Sequence, residues 1–561
     1  MDPRPGLRLQ LLQRHLNGGG GGEAGPLRLA HCRAADNAAV PDTSKVCSAE
    51  EAVALIPDGV WLTPAGFVGS SCPELLLNAL RQRFEATGSP RNLGVIWAAS
   101  VGDSKGRGCD QLAAPGLVNR MIYGWSGTAP GFLKMVRENE VEAWNLPLGV
   151  VSHVIRDVAA HRPGPVTHVG LHTFVDPREK GGRLNSRTQR DIVHVVKMGS
   201  RELLWFEAPQ AIGCALLRGT TADLDGNISF EREALYLDQL NQAMAARNSG
   251  GVVLVQVERI VDRNTLHPKS VHLPGALVDK VVLAPPELQW QTLREPGNDG
   301  SLSGEIRTPL HSIAPLPMDE RRIIAHRAFM EIDRPNCLVN LGVGMPEGVA
   351  VMVATHSKQN PYAASVTLST EAGAWGGIPG GGLRFGSSHN PACLTPTASM
   401  IDFYNGSGVD LCCLGLAEVD AAGNVNVSNF PGRMPGCGGF IDISQTSKKV
   451  CFVGTFASGG LKVAVEGGQL RIRQEGRNRK FTAAVNEKTF AGSTVNGRTV
   501  LIITERAVFR LVKPQGGSGP AVELIEVAPG IDIERDVLAH MAFRPLIRSV
   551  KPMPAAIFQP C

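Results

Sequence analysis

The chain has 561 residues, a formal net charge of +4 and a hydrophobic fraction of 43%, with a mean hydropathy of −0.02. This length exceeds what one hydrophobic core usually serves, so two or more domains are expected. The near-neutral charge, with no basic run, argues against a nucleic-acid-binding protein, and no apolar run reaches the ~18 residues of a membrane-spanning helix. The 12 cysteines contain no C-x-x-C pair, which indicates reduced thiols of an intracellular protein and predicts neither a disulfide framework nor a metal site.

The first 43 residues differ in composition from the rest of the chain. Residues 7–16 are basic and amphipathic, and residues 18–22 are a run of glycines. This composition is typical of an organelle transit peptide, although a disordered extension without an address has the same appearance. We therefore predict a disordered or targeting extension at 1–43 and the mitochondrial matrix as location, with the cytoplasm as the alternative.

Two halves of the chain repeat one pattern near their beginnings. Residues 62–74 indicate a strand, a glycine turn and a helix that opens at Pro73-Glu74. Residues 338–347 repeat that order and end in Pro346-Glu347. Proline at the start of a helix and glutamate in its first turn are both favoured there.

A second pair of segments shares the pattern Asp-x-x-Gly-Asn between apolar runs. It occurs at residues 223–227 and again at 420–424, and it predicts a turn between two short strands. Two matches in the same order indicate duplication. We predict an α/β fold of two similar, duplicated α/β domains with mainly parallel sheets.

The domain boundaries follow from composition. Residues 284–317 are rich in proline, glycine and polar residues, which is typical of a linker. We predict an N-terminal domain at 44–283, a linker at 284–317, a C-terminal domain at 318–549 and a tail at 550–561. Two related domains would form a cleft at their interface, which is a common place for a ligand site.

Glu371 is the residue with the clearest chemical role. It follows the apolar run 366–369, which predicts a buried strand, and six glycines occur between residues 373 and 382. Such glycines allow close approach of a ligand to the backbone. A carboxylate at the tip of this strand suits covalent catalysis on an acyl group, whereas the alternative is a strand-end carboxylate that caps a helix or meets solvent.

Other segments can expose backbone amides or a cation. Gly342 and Gly344 lie in a strand-to-helix turn whose amides can bind an anion, while Gly438 and Gly439 precede an apolar segment and can stabilise an oxyanion. Lys462 can reach a carbonyl or phosphate of a ligand, although a lysine in such a place is more often solvated.

Taken together, these segments resemble the class I coenzyme A transferases, and within them the propionate and acetate branch. The resemblance runs from about residue 46 to about residue 549. It rests on motifs that occur in the family's order at 66–69, 145–150, 170–178, 340–346, 423–428, 438–441 and 504–509. Asp442 departs from the family pattern, since asparagine is usual at this position in the branch.

The resemblance implies a role for each candidate residue. It places the catalytic glutamate at Glu371, the glycine loop at Gly342 and Gly344, and a glycine pair beside the thioester at Gly438 and Gly439. Lys462 takes the place of a coenzyme-contacting lysine. It also implies ping-pong transfer of coenzyme A from a short-chain acyl-CoA to a carboxylate of the acetate or propionate type, through a glutamyl-CoA thioester.

The partners implied by the resemblance are acyl-CoA and short carboxylic acids, with coenzyme A as a co-substrate and no tightly bound cofactor. A homo-oligomer, either a dimer or a tetramer, is expected. Two alternatives stay open at this point: a short-chain acyl-CoA hydrolase on the same fold, and a non-catalytic paralogue that binds acyl-CoA. Acetate, propionate, butyrate and lactate all stay open as acids.

Overall fold

The computed structural model describes residues 45–309, 313–430, 433–495, 497–514 and 519–559. The predicted extension at 1–43 and residues 310–312 of the predicted linker lie outside these ranges. Among the residues described, no helix has the length and apolar character needed to cross a bilayer.

The first half is built on a seven-stranded sheet in the spatial order β14-β11-β8-β1-β2-β3-β4. All its neighbouring strands are parallel. The described strands of this half are β1 Trp61–Pro64, β2 Leu93–Ala99, β3 Val118–Trp125, β4 Glu142–Asn145, β5 Val166–Thr167, β6 Val193–Met198, β7 Arg201–Phe206, β8 Cys214–Arg218, β9 Thr221–Asp223, β10 Ile228–Ser229, β11 Val252–Val257, β12 Arg259–Val261, β13 Val271–Leu273 and β14 Lys280–Leu283. Its helices are α1 Ala49–Val53, α2 Glu74–Thr87, α3 Pro130–Arg137, α4 Leu148–Ala159 and α5 Gln239–Asn248.

The second half is built on a ten-stranded sheet in the order β20-β17-β16-β15-β21-β24-β29-β30-β31-β32. Its centre, from β16 to β29, is parallel. The described strands are β15 Leu338–Leu341, β16 Thr367–Ser369, β17 Ala374–Trp375, β18 Ile378–Pro379, β19 Ser388–His389, β20 Cys393–Leu394, β21 Leu411–Gly415, β22 Glu418–Val419, β23 Val425–Asn426, β24 Lys449–Val453, β25 Ala457–Ser458, β26 Lys462–Glu466, β27 Gln469–Gln474, β28 Asn478–Arg479, β29 Thr499–Ile503, β30 Ala507–Val512, β31 Ala521–Val527 and β32 Leu546–Pro552. The helices are α6 Gly300–Ser303, α7 Glu320–Phe329, α8 Glu347–Thr355, α9 Thr397–Asn405 and α10 Phe440–Thr446.

The predicted α/β class with mainly parallel sheets is therefore confirmed, and the repeated turns have the same hydrogen bonds. In the first half, Asp223 accepts from the backbone amide of Asn227 at 2.9 Å and from its side chain at 2.9 Å. In the second half, Asp420 accepts from the amide of Asn424 at 3.0 Å and from its side chain at 2.9 Å. Each aspartate holds a tight turn between two short antiparallel strands.

Helix α4 joins the two halves. It packs on β2 and β3 of the first sheet and on α9 and α10 of the second half. Eleven of its 12 residues are buried, because elements of both halves cover it.

Two predicted boundaries differ from the observed elements. The predicted tail begins inside β32, because residues up to Pro552 pair with β31. The predicted linker is partly buried, since Gln289, Gln291 and Thr292 are each less than 9% exposed. The described residues beyond 44 pack as one compact unit, so the division into domains stays a prediction.

Candidate active site

Glu371 lies in the tight turn between β16 and β17, at the carboxyl end of the parallel strand β16. The amide of Gly373 donates to the carbonyl of Thr370 at 3.1 Å and closes the turn. Gly373 has a φ of 115°, and a Cβ there would lie 2.0 Å from the carbonyl oxygen of Thr395. Glycine is therefore required at this position, and the turn fixes the place of the carboxylate.

A cavity of about 270 Å³ opens beside Glu371 between the two halves of the chain. Its walls are mainly apolar side chains and glycines. It is lined by Phe67, Val68, Ala99, Trp125, Gly127, Leu148, Gly342, Val343, Glu371, Phe385, Leu414, Gly415, Val427, Phe430, Arg433, Pro435, Gly436, Cys437, Gly438, Gly439, Phe440 and Ile443. The structure thus brings Glu371 together with three of the four predicted glycines.

The loop that carries Gly438 is held by the first half of the chain. The amide of Gly438 donates to the carbonyl of Gly124 at 2.9 Å. The amide of Cys437 donates to the Asn145 side chain at 2.9 Å, and that side chain donates to Gly124 at 2.7 Å. The loop is therefore positioned by the carboxyl ends of β3 and β4.

Gly439 packs directly against the candidate nucleophile. A Cβ at Gly439 would lie 3.3 Å from Cγ and 3.5 Å from Oε1 of Glu371. The amide of Gly439 has no hydrogen-bond acceptor among the residues described. Gly439 thus combines close approach to the carboxylate with a donor that is available to a ligand.

The other predicted glycine amides have acceptors within the protein. Gly342 donates to the carbonyl of Cys413 at 2.9 Å, and Gly344 donates to the carboxylate of Glu347 at 2.8 Å. Gly344 is also absent from the cavity lining. With Gly438 bonded as above, all three amides would have to exchange acceptors before they could stabilise an oxyanion.

Lys462 is not brought to this cavity. It is exposed at the start of β26, in the hairpin that β26 forms with β27. His389 also lies outside the cavity lining, and its Nδ1 pairs with the Ser301 hydroxyl at 2.7 Å.

The carboxyl group of Glu371 is buried and incompletely paired. The residue is only 6% exposed, and its Oε2 has no hydrogen-bond partner among the residues described. Burial, with a smaller contribution from the charge of Asp442, raises the pKa of Glu371 to about 7, while its own backbone amide and Asn340 oppose the shift. A carboxylate near its pKa at neutral pH, in a cavity, marks a candidate reactive group.

Asp442 is a second buried carboxyl group beside the site. It lies in the first turn of α10, and its Oδ2 accepts from the amide of Gly149 at 3.1 Å. Its Oδ1 has no partner among the residues described. Burial raises the pKa of Asp442 to about 6, while the Gly149 amide and His153 lower it.

Sequence reasoning did not identify the apolar wall that the first half contributes. Phe67 stacks on Phe385 with ring centroids 6.2 Å apart, and Trp125 and Leu148 complete this side. The motifs at 66–69 and 145–150 could have located this wall, since they contain Phe67 and Leu148.

Comparisons with known proteins agree with this site. A family model described as Coenzyme A transferase matches residues 46–284. The caffeate CoA-transferase of Acetobacterium woodii is 41% identical over 92% of this chain and 97% of its own length. The acetate CoA-transferase YdiF of Escherichia coli K12 is 40% identical over 90% of this chain and 92% of its own length.

A solved structure extends the likeness to three dimensions. The acyl-CoA transferase YdiF of E. coli O157:H7, in a thioester complex with CoA, superposes with a TM-score of 0.85 and 39% identity, over 92% of this chain and 96% of that one. The chain belongs to the coenzyme A transferase family, and its activity is the transfer of coenzyme A between an acyl-CoA and a carboxylate.

Proposed function

We propose that Glu371 is the nucleophile of this transfer and that it carries coenzyme A as a glutamyl thioester between two half-reactions. The observation that carries the proposal is a buried carboxylate with an unpaired oxygen at the edge of a mainly apolar cavity. Arg433 and Glu371 are the charged side chains among the described lining residues.

The proposed reaction balances through two intermediates. An oxygen of the Glu371 carboxylate attacks the thioester carbonyl of the donor and expels the coenzyme A thiolate, which leaves a mixed anhydride. The thiolate then attacks the glutamyl carbonyl, so that a glutamyl thioester forms and the donor acid departs. The acceptor carboxylate reverses both steps. Covalent catalysis of this kind divides one difficult exchange into easier ones.

Exclusion of water is essential to this scheme, because both intermediates hydrolyse. The apolar lining residues Phe67, Trp125 and Phe440 support that role. The amide of Gly439 is the proposed donor to the oxyanion at Glu371, and one such donor is typically worth about 3 kcal/mol of transition-state stabilisation. Gly342, Gly344 and Gly438 stay predicted donors that would first exchange acceptors.

The proposed substrates are short acyl chains of the acetate and propionate type. An apolar wall favours a chain without a second charge, because an unpaired buried charge is costly. Coenzyme A acts as co-substrate, and its contact with Lys462 stays a prediction. A series of acyl-CoA donors from acetyl to butyryl, with lactoyl and succinyl for comparison, tests this preference. We expect succinyl-CoA to be the poorest donor in kcat/KM.

The decisive test of the proposed function is the replacement of Glu371. We expect Glu371→Gln, which keeps the shape and removes the nucleophile, to abolish transfer from propionyl-CoA to acetate. Wild-type enzyme mixed with donor should gain the mass of coenzyme A on the peptide that contains Glu371, and borohydride should then inactivate it. Transfer at the wild-type rate by Glu371→Gln would refute the assignment.

Oligomeric state and location complete the proposal. A homo-oligomer, either dimer or tetramer, is proposed from the family resemblance, and light scattering on the purified protein tests it. The mitochondrial matrix is proposed from the composition of residues 1–43, with the cytoplasm as the alternative. A fluorescent fusion with and without these residues distinguishes the two.

A further inference from the structure

The parallel strands of the second sheet present one continuous edge that begins at the candidate nucleophile. In the spatial order β16-β15-β21-β24-β29, the residues at or just beyond the carboxyl ends are Glu371, Gly342, Gly415, Gly454 and Glu505. Neighbouring strands are ~4.8 Å apart. An elongated ligand that reacts at Glu371 can therefore extend across several strand ends, towards β24 and β29.

The cavity follows this edge as far as Gly415. Gly342, Val343, Leu414 and Gly415 all line it. A Cβ placed on Gly415 would meet no atom within 4 Å. Glycine at this position therefore leaves open space at the end of β21, on the side of the sheet edge that leads away from Glu371.

Lys480 lies directly beyond this open space. Its Nζ donates to the carbonyl of Leu416, the residue that follows Gly415, at 3.3 Å. A Cβ on Gly454 would lie 3.2 Å from the same Nζ. The ammonium group is thus positioned between the carboxyl ends of β21 and β24, on the same edge as Glu371.

The ammonium group of Lys480 has unused hydrogen-bonding capacity. It carries three N–H donors, and the Leu416 carbonyl is its one hydrogen-bond acceptor among the residues described. Glu505 lies near but is engaged elsewhere, since its two oxygens accept from the amide of Phe456 at 2.8 Å and from Arg506 at 2.7 Å. Two N–H groups therefore have no acceptor among the residues described.

The environment of Lys480 favours a neutral oxygen as that ligand. Burial lowers the pKa of Lys480 to about 8, while the charge of Glu505 opposes the shift. Because Glu505 already balances part of the positive charge, a phosphate placed here would have one half-buried lysine and an adjacent carboxylate as its charged neighbours. The Glu505 carboxylate would repel such a phosphate, whereas a neutral amide carbonyl can accept hydrogen bonds from Lys480 without that repulsion.

We propose that Lys480 binds an amide carbonyl oxygen of the pantetheine arm of coenzyme A. The inference rests on the proposed function, in which the thiol end of the coenzyme reacts at Glu371. The arm would then leave the cavity over Val343 and Gly415 and reach Lys480 at the end of β24. Lys480 is a binding residue in this arrangement, distinct from the exposed Lys462.

The test compares the variants Lys480→Met and Lys480→Arg with two donors, propionyl-CoA and propionyl-pantetheine, each with acetate as acceptor. We expect Lys480→Met to raise the KM of both donors by about ten- to a hundredfold, with kcat and the KM of acetate little changed. The dissociation constant of free coenzyme A should rise by the same factor. Lys480→Arg should recover part of the loss, and Lys480→Gln replaces Lys480→Met if that variant does not fold.

Lys197→Met is the matched control, because Lys197 is an exposed lysine of β6 in the first half; it should leave all constants unchanged. Unaltered donor constants in Lys480→Met would overturn the inference. A rise in KM for propionyl-CoA alone would also overturn it, because that result indicates a phosphate contact. A fall in kcat and melting temperature at constant KM would overturn it as well, because that result indicates a structural role. Failure of the wild-type enzyme to form a thioester at Glu371 would instead refute the proposed function.

Discussion

At the scale of single residues, the site is governed by two buried carboxyl groups whose pKa values are raised. Glu371 has a pKa of about 7 and Asp442 of about 6. Burial is the first cause for both, and the charge of Asp442 adds to the shift at Glu371.

The first prediction concerns pH dependence. The nucleophile must be ionised, so the rate of thioester formation should fall as the pH drops below about 7. Asp442→Asn removes a negative charge near Glu371 and should move this acid limb to lower pH. Stopped-flow measurement of the first half-reaction from pH 5 to 9 checks it. Asp333→Asn, a surface control that is 60% exposed, should keep the wild-type profile.

The second prediction concerns stability. The folded-state pKa of Asp442 lies above its ordinary value of 3.8, so this group favours folding at low pH and loses that contribution as the pH rises through about 6. Asp442→Asn cannot ionise and should therefore be more stable than wild type at pH 8, with a smaller difference at pH 5. Urea unfolding at both pH values measures this. Equal stabilisation at both pH values would contradict the titration argument.

At the scale of elements, the loop before α10 places two adjacent glycines in different roles. Gly438 has a φ of 55°, and the nearest atom to a Cβ there is 3.7 Å away. Gly439 has an ordinary φ of −78°, but a Cβ would press on Glu371 at 3.3 Å. Gly438 is thus required by backbone conformation, and Gly439 by the space beside the carboxylate.

The third prediction uses this contrast. Gly438→Ala should lower the free energy of unfolding by about 1–2 kcal/mol, the cost of a left-handed conformation for alanine. It should lose less activity than Gly439→Ala. Gly439→Ala should retain stability but lose at least about tenfold in kcat, because a ~1 Å misplacement of a reacting group can cost ~100-fold. Thermal unfolding and steady-state kinetics on both variants distinguish the effects. The reverse order of losses would contradict the assignment.

At the scale of the whole molecule, a buried ion pair holds the segment that follows the first sheet. Arg218 donates to Glu233 at 2.9 Å, and both side chains are less than 5% exposed. Arg218 also donates to the carbonyl of Gln289 at 3.3 Å and to that of Trp290. The pair thus fixes residues of the predicted linker against the end of β8.

The fourth prediction follows from the cost of an unpaired buried charge. Arg218→Met should lower the free energy of unfolding by about 3–5 kcal/mol, since Glu233 is left buried without its partner. The double variant Arg218→Met, Glu233→Gln should recover part of that loss. Denaturant unfolding of the single and double variants checks this. A double variant that is no more stable than Arg218→Met alone would contradict the prediction.

The sequence indicated the nucleophile and the repeat because both are local patterns. Glu371 stands between a short apolar run and a set of glycines, and the turns at Asp223 and Asp420 depend on residues only four positions apart. The same local reasoning did not show that the Gly344 amide already has an acceptor or that Lys462 lies outside the cavity lining. A glycine turn does not reveal which amide already has an acceptor, and a lysine's position along the chain does not reveal which sheet edge it faces.

The sequence by itself thus determined the α/β class, the duplication, the family and the candidate nucleophile, because each depends on short-range periodicity or on a contiguous motif. Only the tertiary structure decided which groups surround that nucleophile. The Asn145 side chain that holds Cys437 is 292 positions away in the chain, and Phe67 and Trp125 belong to the first half of the chain, whereas Glu371 belongs to the second. Such contacts are set by the packing of α4 between the halves, and this long-range packing brings the apolar wall, the free Gly439 amide and the buried carboxylates to one cavity.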